Sequence, residues 1–284
     1  MQPTPTSPIP VGERNAAGIQ HYPVIHHQGT GYTLTPRPRG QALPESSPLY
    51  DDIHAIWNPD RFLIPREPII VGHVPPASIT RGTTERVFAL PLKFPNSDYR
   101  IPDELDWLAD TLQICIDAEH TLNPHVDEYY AYLDLDSSTV EIGGCQRSPG
   151  PHSDNIQGQR VQPKQPTEHC YAVVSSHPTC FYVQPFDLRE HDPETHYANT
   201  VFEAQLQIES GVCHTAGDIT FFDAYSVHAA VPIIETGWRT FVRLVYTTRQ
   251  YDRLGNSHNP LFDYQWNMVR RALPDNLIGL PHAA

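Results

Sequence analysis

The sequence predicts a mainly β domain: a double-sheet jelly roll (a double-stranded β-helix of cupin-like type) with flanking helices. Three observations predict it. From Glu128 onward, short apolar segments of strand length follow one another: 129–135, 169–175, 179–184, 202–208, 219–222, 229–234 and 239–247. Gly and Pro punctuate them at the frequency of an antiparallel double sheet. One long amphipathic helix precedes this pattern, and at 284 residues the chain is long enough for one large barrel with a full core.

Residues 1–48 hold nine of the 29 prolines and little periodic apolar pattern. They read as a Pro-rich arm whose first ten or so residues are disordered, with a short strand near Gln20–Ile25. His21, His26 and His27 lie on this arm, a poor place to fix ligand geometry. Residues 49–284 read as a single catalytic domain with its core at about 126–250. Ile69–His73 and Arg86–Phe94 are apolar enough for strands, and Pro91 marks the second as an edge, because proline cannot donate to a ladder. The spacing of Leu105, Leu108, Leu112, Cys115 and Ile116 predicts a helix over 102–119 that packs on the outside of a sheet. A second helix is expected at Asp263–Ala272, closing one end of the barrel. Two long polar loops, 155–168 and 185–200, are either lids or solvent loops.

Composition removes several function classes. Asp and Glu outnumber Lys and Arg by 33 to 19, giving a net charge of −14. No basic run exists to track a phosphate backbone, which argues against nucleic acid as partner. Five cysteines (Cys115, Cys145, Cys170, Cys180 and Cys213) form neither a disulfide framework nor a zinc spacing. The first residues carry no charged-then-apolar leader, and no stretch reaches membrane-span length. The expectation is a cytoplasmic protein with no membrane partner; oligomeric state is not legible.

The chemistry starts from His152-Ser-Asp154 and His228. Two imidazoles and a carboxylate form a facial triad, the ligand set that suits non-haem Fe(II) and leaves positions open for reactants. His-x-Asp alone is weak: 16 histidines, each with a 33-in-284 chance of an acid two residues on, give roughly two accidental pairs. Two are present, His125-Val-Asp127 and His152-Ser-Asp154. Context favours the second, which lies between the turn residues Gly143-Gly144 and Pro149-Gly150-Pro151 and the run Asn155-Ile156-Gln157-Gly158. On a strand, His152 and Asp154 would point to one face. His125 instead follows the helix, beside Asp and Glu.

The distal half is more specific. Gly217-Asp218 followed by Ile219–Phe222 reads as a turn and a strand, and His228 comes soon after. Ala229–Ile234 then reads as a strand, with Glu235–Trp238 closing a hairpin into Arg239–Tyr246. Arg239, Phe241, Arg243 and Val245 would share one face of that strand. Two arginines on an otherwise apolar face are costly unless they meet anions. Asp223 would orient a ligand or cap a turn.

This arrangement (Gly-Asp, aromatic strand, His228, arginine strand) resembles the phytanoyl-hydroxylase and taurine-dioxygenase branches of the Fe(II)/2-oxoglutarate-dependent dioxygenases. Arg239 and Arg243 stand eleven and fifteen positions after His228, as arginines do in the latter branch. The resemblance covers about residues 126–250. It implies Fe(II) on His152, Asp154 and His228, 2-oxoglutarate as co-substrate, and O2. By it Arg239 would pair with the C5 carboxylate of 2-oxoglutarate, and Arg243 with 2-oxoglutarate or an anionic substrate group. A buried Gln184 needs partners, which a co-substrate carboxylate or backbone would supply. Arg147, Tyr182 and Asn155 are the candidates for substrate contact. The implied activity is oxidation of an unactivated C–H bond of a small metabolite, an amino-acid or specialised-metabolite intermediate, by hydroxylation, desaturation or cyclisation. Two other classes stay open: a metal-dependent hydrolase or isomerase on the same barrel, which gives the arginines no task, and a binding module without a working metal, which gives the triad none.

Overall fold

A computed structural model describes residues 29–37, 43–147, 150–154, 166–191 and 198–269. The expected Gln20–Ile25 strand, the arm histidines, Asn155 and most of the 155–168 loop lie outside the described residues.

The barrel consists of two facing antiparallel sheets. The larger is built from β2 (Ile69–His73), β3 (Glu85–Lys93), β5 (Tyr130–Val140), β6 (His169–Val174), β9 (Asp218–Asp223) and β11 (Gly237–Thr247), in the order β2-β9-β6-β11-β5-β3. The smaller has the order β10-β7-β8, from β7 (Cys180–Tyr182), β8 (Gly211–Cys213) and β10 (His228–Ala229). A separate pair, β1 (Gly31–Leu34) with β4 (Tyr99–Pro102), lies apart from both. This is the expected jelly roll, and β3 with Pro91 is an edge strand.

Period-2 alternation gives the large sheet two different faces. One face, with Leu133, Leu135, Tyr171, Val173, Phe221, Val242 and Leu244, joins Leu105, Leu108, Leu112 and Ile116 in the main core. The helix therefore packs on the outside of the sheet, and each of these leucines contributes about 1.5–3 kcal/mol by burial. Its start differs from the expectation. Asp103–Leu108 winds as a 3-10 helix, and, after the short α1 (Pro48–Asp51), the α-helix proper, α2, runs Ala109–Leu122. Glu119 fastens α2 to the sheet, accepting bonds from Tyr171 Oη at 2.9 Å, His169 Nε2 at 2.9 Å and Asn123 Nδ2 at 2.7 Å. The opposite face, with Cys170, Phe222 and Val245, meets Phe181 of the small sheet.

Four expectations fail. Phe202–Ile208 is not a strand: Ala198–Gln205 is a helix, α3, and Ile208–Ser210 a 3-10 turn. The alternating Phe-Glu-Ala-Gln-Leu-Gln-Ile reads as β. However, Ala198, Val201, Phe202 and Leu206, spaced as one helix face, pack into a cluster with Phe62, Phe186 and Tyr225. The strand at Ala229–Ile234 stops after Ala229. It is followed by Pro232, which has no N–H to give, and by Ile234, 81% exposed. No hairpin forms at Glu235–Trp238, because β10 pairs with β7 and β11 pairs with β5 and β6 in the opposite sheet. The expected helix from Asp263 is absent over its described part, 263–269.

All five cysteines are free thiols, with Cys180 and Cys213 directly opposite on β7 and β8. Among the described residues no helix is long and apolar enough to cross a membrane.

Candidate metal centre

The triad is assembled by backbone pairing. His228 on β10 lies opposite Phe181, and on its other side His152 forms an antiparallel bridge to it. His152 N donates to His228 O at 2.9 Å and His228 N to His152 O at 2.8 Å. This brings the imidazole centroids to 4.6 Å with an interplanar angle of 57°. Asp154 lies just beyond, its Oδ2 3.9 Å from His228 Nε2. Donor atoms of His152, Asp154 and His228 all lie within 4.8 Å of one another.

Hydrogen bonding fixes which nitrogen each imidazole offers. His152 Nδ1 lies 3.0 Å from Gly150 O and His228 Nδ1 2.9 Å from Ser226 O. A carbonyl only accepts, so each Nδ1 carries the proton and each Nε2 keeps a lone pair for a metal. Burial, and the neighbouring His152, push the His228 imidazole down to about 4, so it is neutral near pH 7. Burial alone would raise the Asp154 carboxyl, but Arg243 and the two imidazoles hold it well below the usual carboxylate range. Two imidazoles that present Nε2 and an ionised carboxylate fit a divalent transition metal such as Fe(II), with positions left open.

The turn that delivers His228 is itself anchored. Asp223 Oδ1 accepts from Tyr225 N at 3.0 Å and from Ser226 Oγ at 2.8 Å. Its Oδ2 pairs with buried Arg66 at 2.7 Å. Of the two roles expected for Asp223, it takes that of turn cap. Arg66 also bonds Asp52, which neutralises its charge.

Arg239 and Arg243 both reach the cavity between the sheets, but their surroundings differ. Arg243 is matched by carboxylates: Asp134, directly opposite on β5, accepts from its Nε at 3.0 Å, and Asp154 pairs with its Nη1. Arg239 is 2% exposed and bonds only neutral groups among the described residues. Its Nε donates to Ser176 O at 3.0 Å and to His177 O at 3.3 Å. Its Nη2 donates to His177 O at 3.0 Å, and its Nη1 to Gln146 Oε1. A guanidinium has five N–H groups, so one N–H remains on each terminal nitrogen. Two N–H groups are the number that a carboxylate takes in a bidentate pair. Burial, then the like charge of Arg147, lower Arg239 to about 10, which leaves it cationic. His177 presents its carbonyl from a left-handed backbone, φ +48°, a conformation that clusters at functional sites.

Arg147 lines the same cavity, its guanidinium 4.8 Å from the centroid of Phe241. Phe181 and Phe222 supply apolar wall around His228, with centroid distances of 5.5 and 5.1 Å.

Two site expectations are corrected. Gln184 is consumed by backbone and a hydroxyl: Nε2 donates to Gln205 O at 2.9 Å, and Oε1 accepts from Gln207 N at 2.7 Å and Ser210 Oγ at 2.9 Å. It does not line the cavity. Tyr182 does not either. On β7 Phe181 takes the cavity side, and Tyr182 packs against the α3 cluster. The alternative pair His125/Asp127 is not assembled. His125 stacks on His54 at 4.1 Å and 18° and bonds exposed Glu128 at 3.2 Å. These three do come close enough to be considered as ligands. Nearly parallel stacked rings, however, cannot both aim an in-plane lone pair at one ion.

Sequence reasoning missed Asp134, Gln146 and the Ser176–His177 carbonyls. A signal for Asp134 is present: Asp134 interrupts the apolar run Tyr130–Leu135 and Asp136 follows it, and buried acids there need cations.

No known family profile matches the chain, and no curated protein does. Solved structures are similar in part. EvdO2 from Micromonospora carbonacea var. aurantiaca is 11% identical, with 52% of this chain and 65% of that chain covered and a TM-score of 0.35. The non-heme alpha ketoglutarate dependent epimerase SnoN from nogalamycin biosynthesis is 17% identical, with 61% and 70% covered and a TM-score of 0.33. HygX from Streptomyces hygroscopicus, with nickel and 2-oxoglutarate bound, is 14% identical, with 52% and 66% covered and a TM-score of 0.22. The chain thus spans less than two thirds of EvdO2. At these scores the likeness is too slight to assign chemistry.

Proposed function

We propose that the chain is an Fe(II)/2-oxoglutarate-dependent oxygenase that oxidises an unactivated C–H bond of a small, anionic metabolite. One observation carries this reading. A facial triad with both imidazole tautomers set for coordination shares a cavity with a buried arginine that has two unspent N–H groups and no carboxylate partner among the described residues. A hydrolase or isomerase on this barrel would give that cation no task, and a buried unmatched charge is expensive to retain.

His152 Nε2, His228 Nε2 and an Asp154 oxygen would hold the metal. Fe(II) bound there supplies O2 activation and the oxidising power for the C–H bond. Arg239 would take the far carboxylate of 2-oxoglutarate in a bidentate pair and so direct its keto-acid end toward the triad. Arg147, half-buried and cationic at the same cavity, would meet an anionic group of the substrate. Phe181, Phe222 and Phe241 keep water from the reacting end. The balance is one 2-oxoglutarate and one O2 consumed, with one oxygen atom delivered to substrate and the other to succinate as CO2 leaves. Desaturation or cyclisation of the substrate would use the same site with different positioning.

The test is a screen of anionic and neutral small metabolites scored by succinate. Slow succinate release without substrate, quickened by an anionic compound, is expected. Metal-loaded protein that never consumes 2-oxoglutarate would refute the reading.

A further inference from the structure

Cys180 and Cys213 take no part in the metal centre, yet the small sheet brings them side by side. They are Cα partners on β7 and β8, so both side chains stand on one face of that sheet. Phe181, next in the chain, takes the opposite face, toward the cavity. The backbone bonding fixes the kind of pair they form. Val183 N donates to Ser210 O, directly opposite, at 3.0 Å, whereas Tyr182 N donates the other way, to Val227 O, at 2.9 Å. Along β7, then, Phe181 and Val183 bond toward β8, and Cys180 and Tyr182 bond toward β10. Cys180–Cys213 is therefore a non-hydrogen-bonded pair, with Cα atoms about 4.5 Å apart and side chains close together. A disulfide spans about 4.4–6.8 Å between Cα atoms, so a bridge fits here without moving either strand. Gly211, diagonal to Cys180, leaves its thiol room: a Cβ there would come within 3.0 Å of Cys180 Sγ.

Both strands end at this pair. β7 begins at Cys180 and β8 stops at Cys213. Beyond them, Pro178 and Thr179 on one chain and His214 and Thr215 on the other line the cavity. The last ladder bonds between the strands fall one pair earlier, at Phe181 and Val212, so the backbone leaves this fork untied. Burial, and then the Cys213 thiol beside it, push the Cys180 thiol up to about 12, whereas Cys213 is exposed and meets solvent first.

We propose that Cys180 and Cys213 are a peroxide-oxidised modification site, a dithiol that closes to a disulfide and ties the two cavity-lining segments together. The Cys213 sulfur attacks the O–O bond of hydrogen peroxide, takes one oxygen as a sulfenic acid and releases one water. The Cys180 sulfur then displaces that hydroxyl, which leaves with the Cys180 proton as a second water. The two sulfurs give up two electrons, which the peroxide accepts, and a thiol reductant reverses the change.

The test treats the full-length chain with hydrogen peroxide, a chelator being present so that no iron splits the oxidant. Remaining thiols are alkylated and peptide masses read. Wild type should lose two thiols and the mass of two hydrogens, yield a peptide linking Cys180 to Cys213, and recover fully with dithiothreitol. Amide exchange over 212–216 should be slower in the oxidised form than in the reduced form. In Cys180→Ser, a conservative change, Cys213 should instead pass to sulfinic acid, which dithiothreitol does not reverse. Wild type whose Cys213 becomes sulfinic acid, or links to another chain, while Cys180 stays a thiol would overturn the proposal. A linked peptide with unchanged exchange over 212–216 would overturn the tie between the two segments.

Discussion

Replacing Arg239 with lysine keeps a cation on β11 but removes the fork. In the wild type, three of the five N–H groups are spent on Ser176 O, His177 O and Gln146 Oε1, and two remain for a carboxylate. Lysine offers one point charge and no planar pair. Losing one charge-assisted bond costs about 1.5–3 kcal/mol, or roughly 10- to 150-fold in 2-oxoglutarate affinity. Arg239→Gln goes further and leaves a buried carboxylate without a counter-charge. That costs about 3–5 kcal/mol, a loss of at least about a hundredfold. The assay is calorimetric titration of 2-oxoglutarate into Mn(II)-loaded protein, where no turnover complicates the isotherm. Affinity within about threefold of wild type in Arg239→Lys would refute the assignment of this arginine to the co-substrate.

Three further outcomes follow from the packing. Gly217, at φ +88°, opens β9, and a Cβ there would sit 2.2 Å from Val74 O; Gly217→Ala should lower stability by about 2 kcal/mol or more in denaturant unfolding. Arg66→Met leaves Asp223 buried without its cation, while Asp52 keeps Arg61; it should cost about 3–5 kcal/mol and weaken metal uptake by loosening the His228 turn. His228 falls from an ordinary 6.5 to about 4 in the fold, so unfolding takes up a proton between these values. Its contribution is therefore complete above pH 6.5 and lost as pH falls toward 4, by about 3 kcal/mol. Metal-free His228→Gln should lose that part of the slope in unfolding measured against pH.

The parts of this fold that were legible in the sequence are those governed by short-range pattern. Ile69–His73, the β9 run after Gly217-Asp218 and the long β11 strand are short, predominantly apolar segments bounded by turn residues; they form within a residue or two of where they are expected. The triad was legible because His-x-Asp and the distal histidine are separated by recognisable turns. Other features depend on partners far along the chain. Phe-Glu-Ala-Gln-Leu-Gln-Ile alternates like a strand, and only contact with Phe62 and Tyr225 makes helix the better burial. The segment after Ala229 looked like a hairpin because sequence does not show that β10 and β11 belong to opposite sheets. Gln184 looked like a site residue because a buried amide needs partners, and those partners, Gln205, Gln207 and Ser210, are some twenty residues away. Spacing from His228 and the resemblance favour Arg239 over Arg243 for the 2-oxoglutarate carboxylate. In the structure the two are told apart by Asp134, whose register opposite Arg243 is fixed by pairing of β5 with β11.

The most direct test of the central claim is the visible absorption of anaerobic protein given Fe(II) and then 2-oxoglutarate. If His152, Asp154 and His228 hold the metal and Arg239 seats the co-substrate, a metal-to-ligand charge-transfer band should appear on adding 2-oxoglutarate. It should be absent in folded Asp154→Ala and weaker in Arg239→Ala at limiting 2-oxoglutarate. Wild-type protein that binds Fe(II) at this site yet develops no band with excess 2-oxoglutarate would contradict the account.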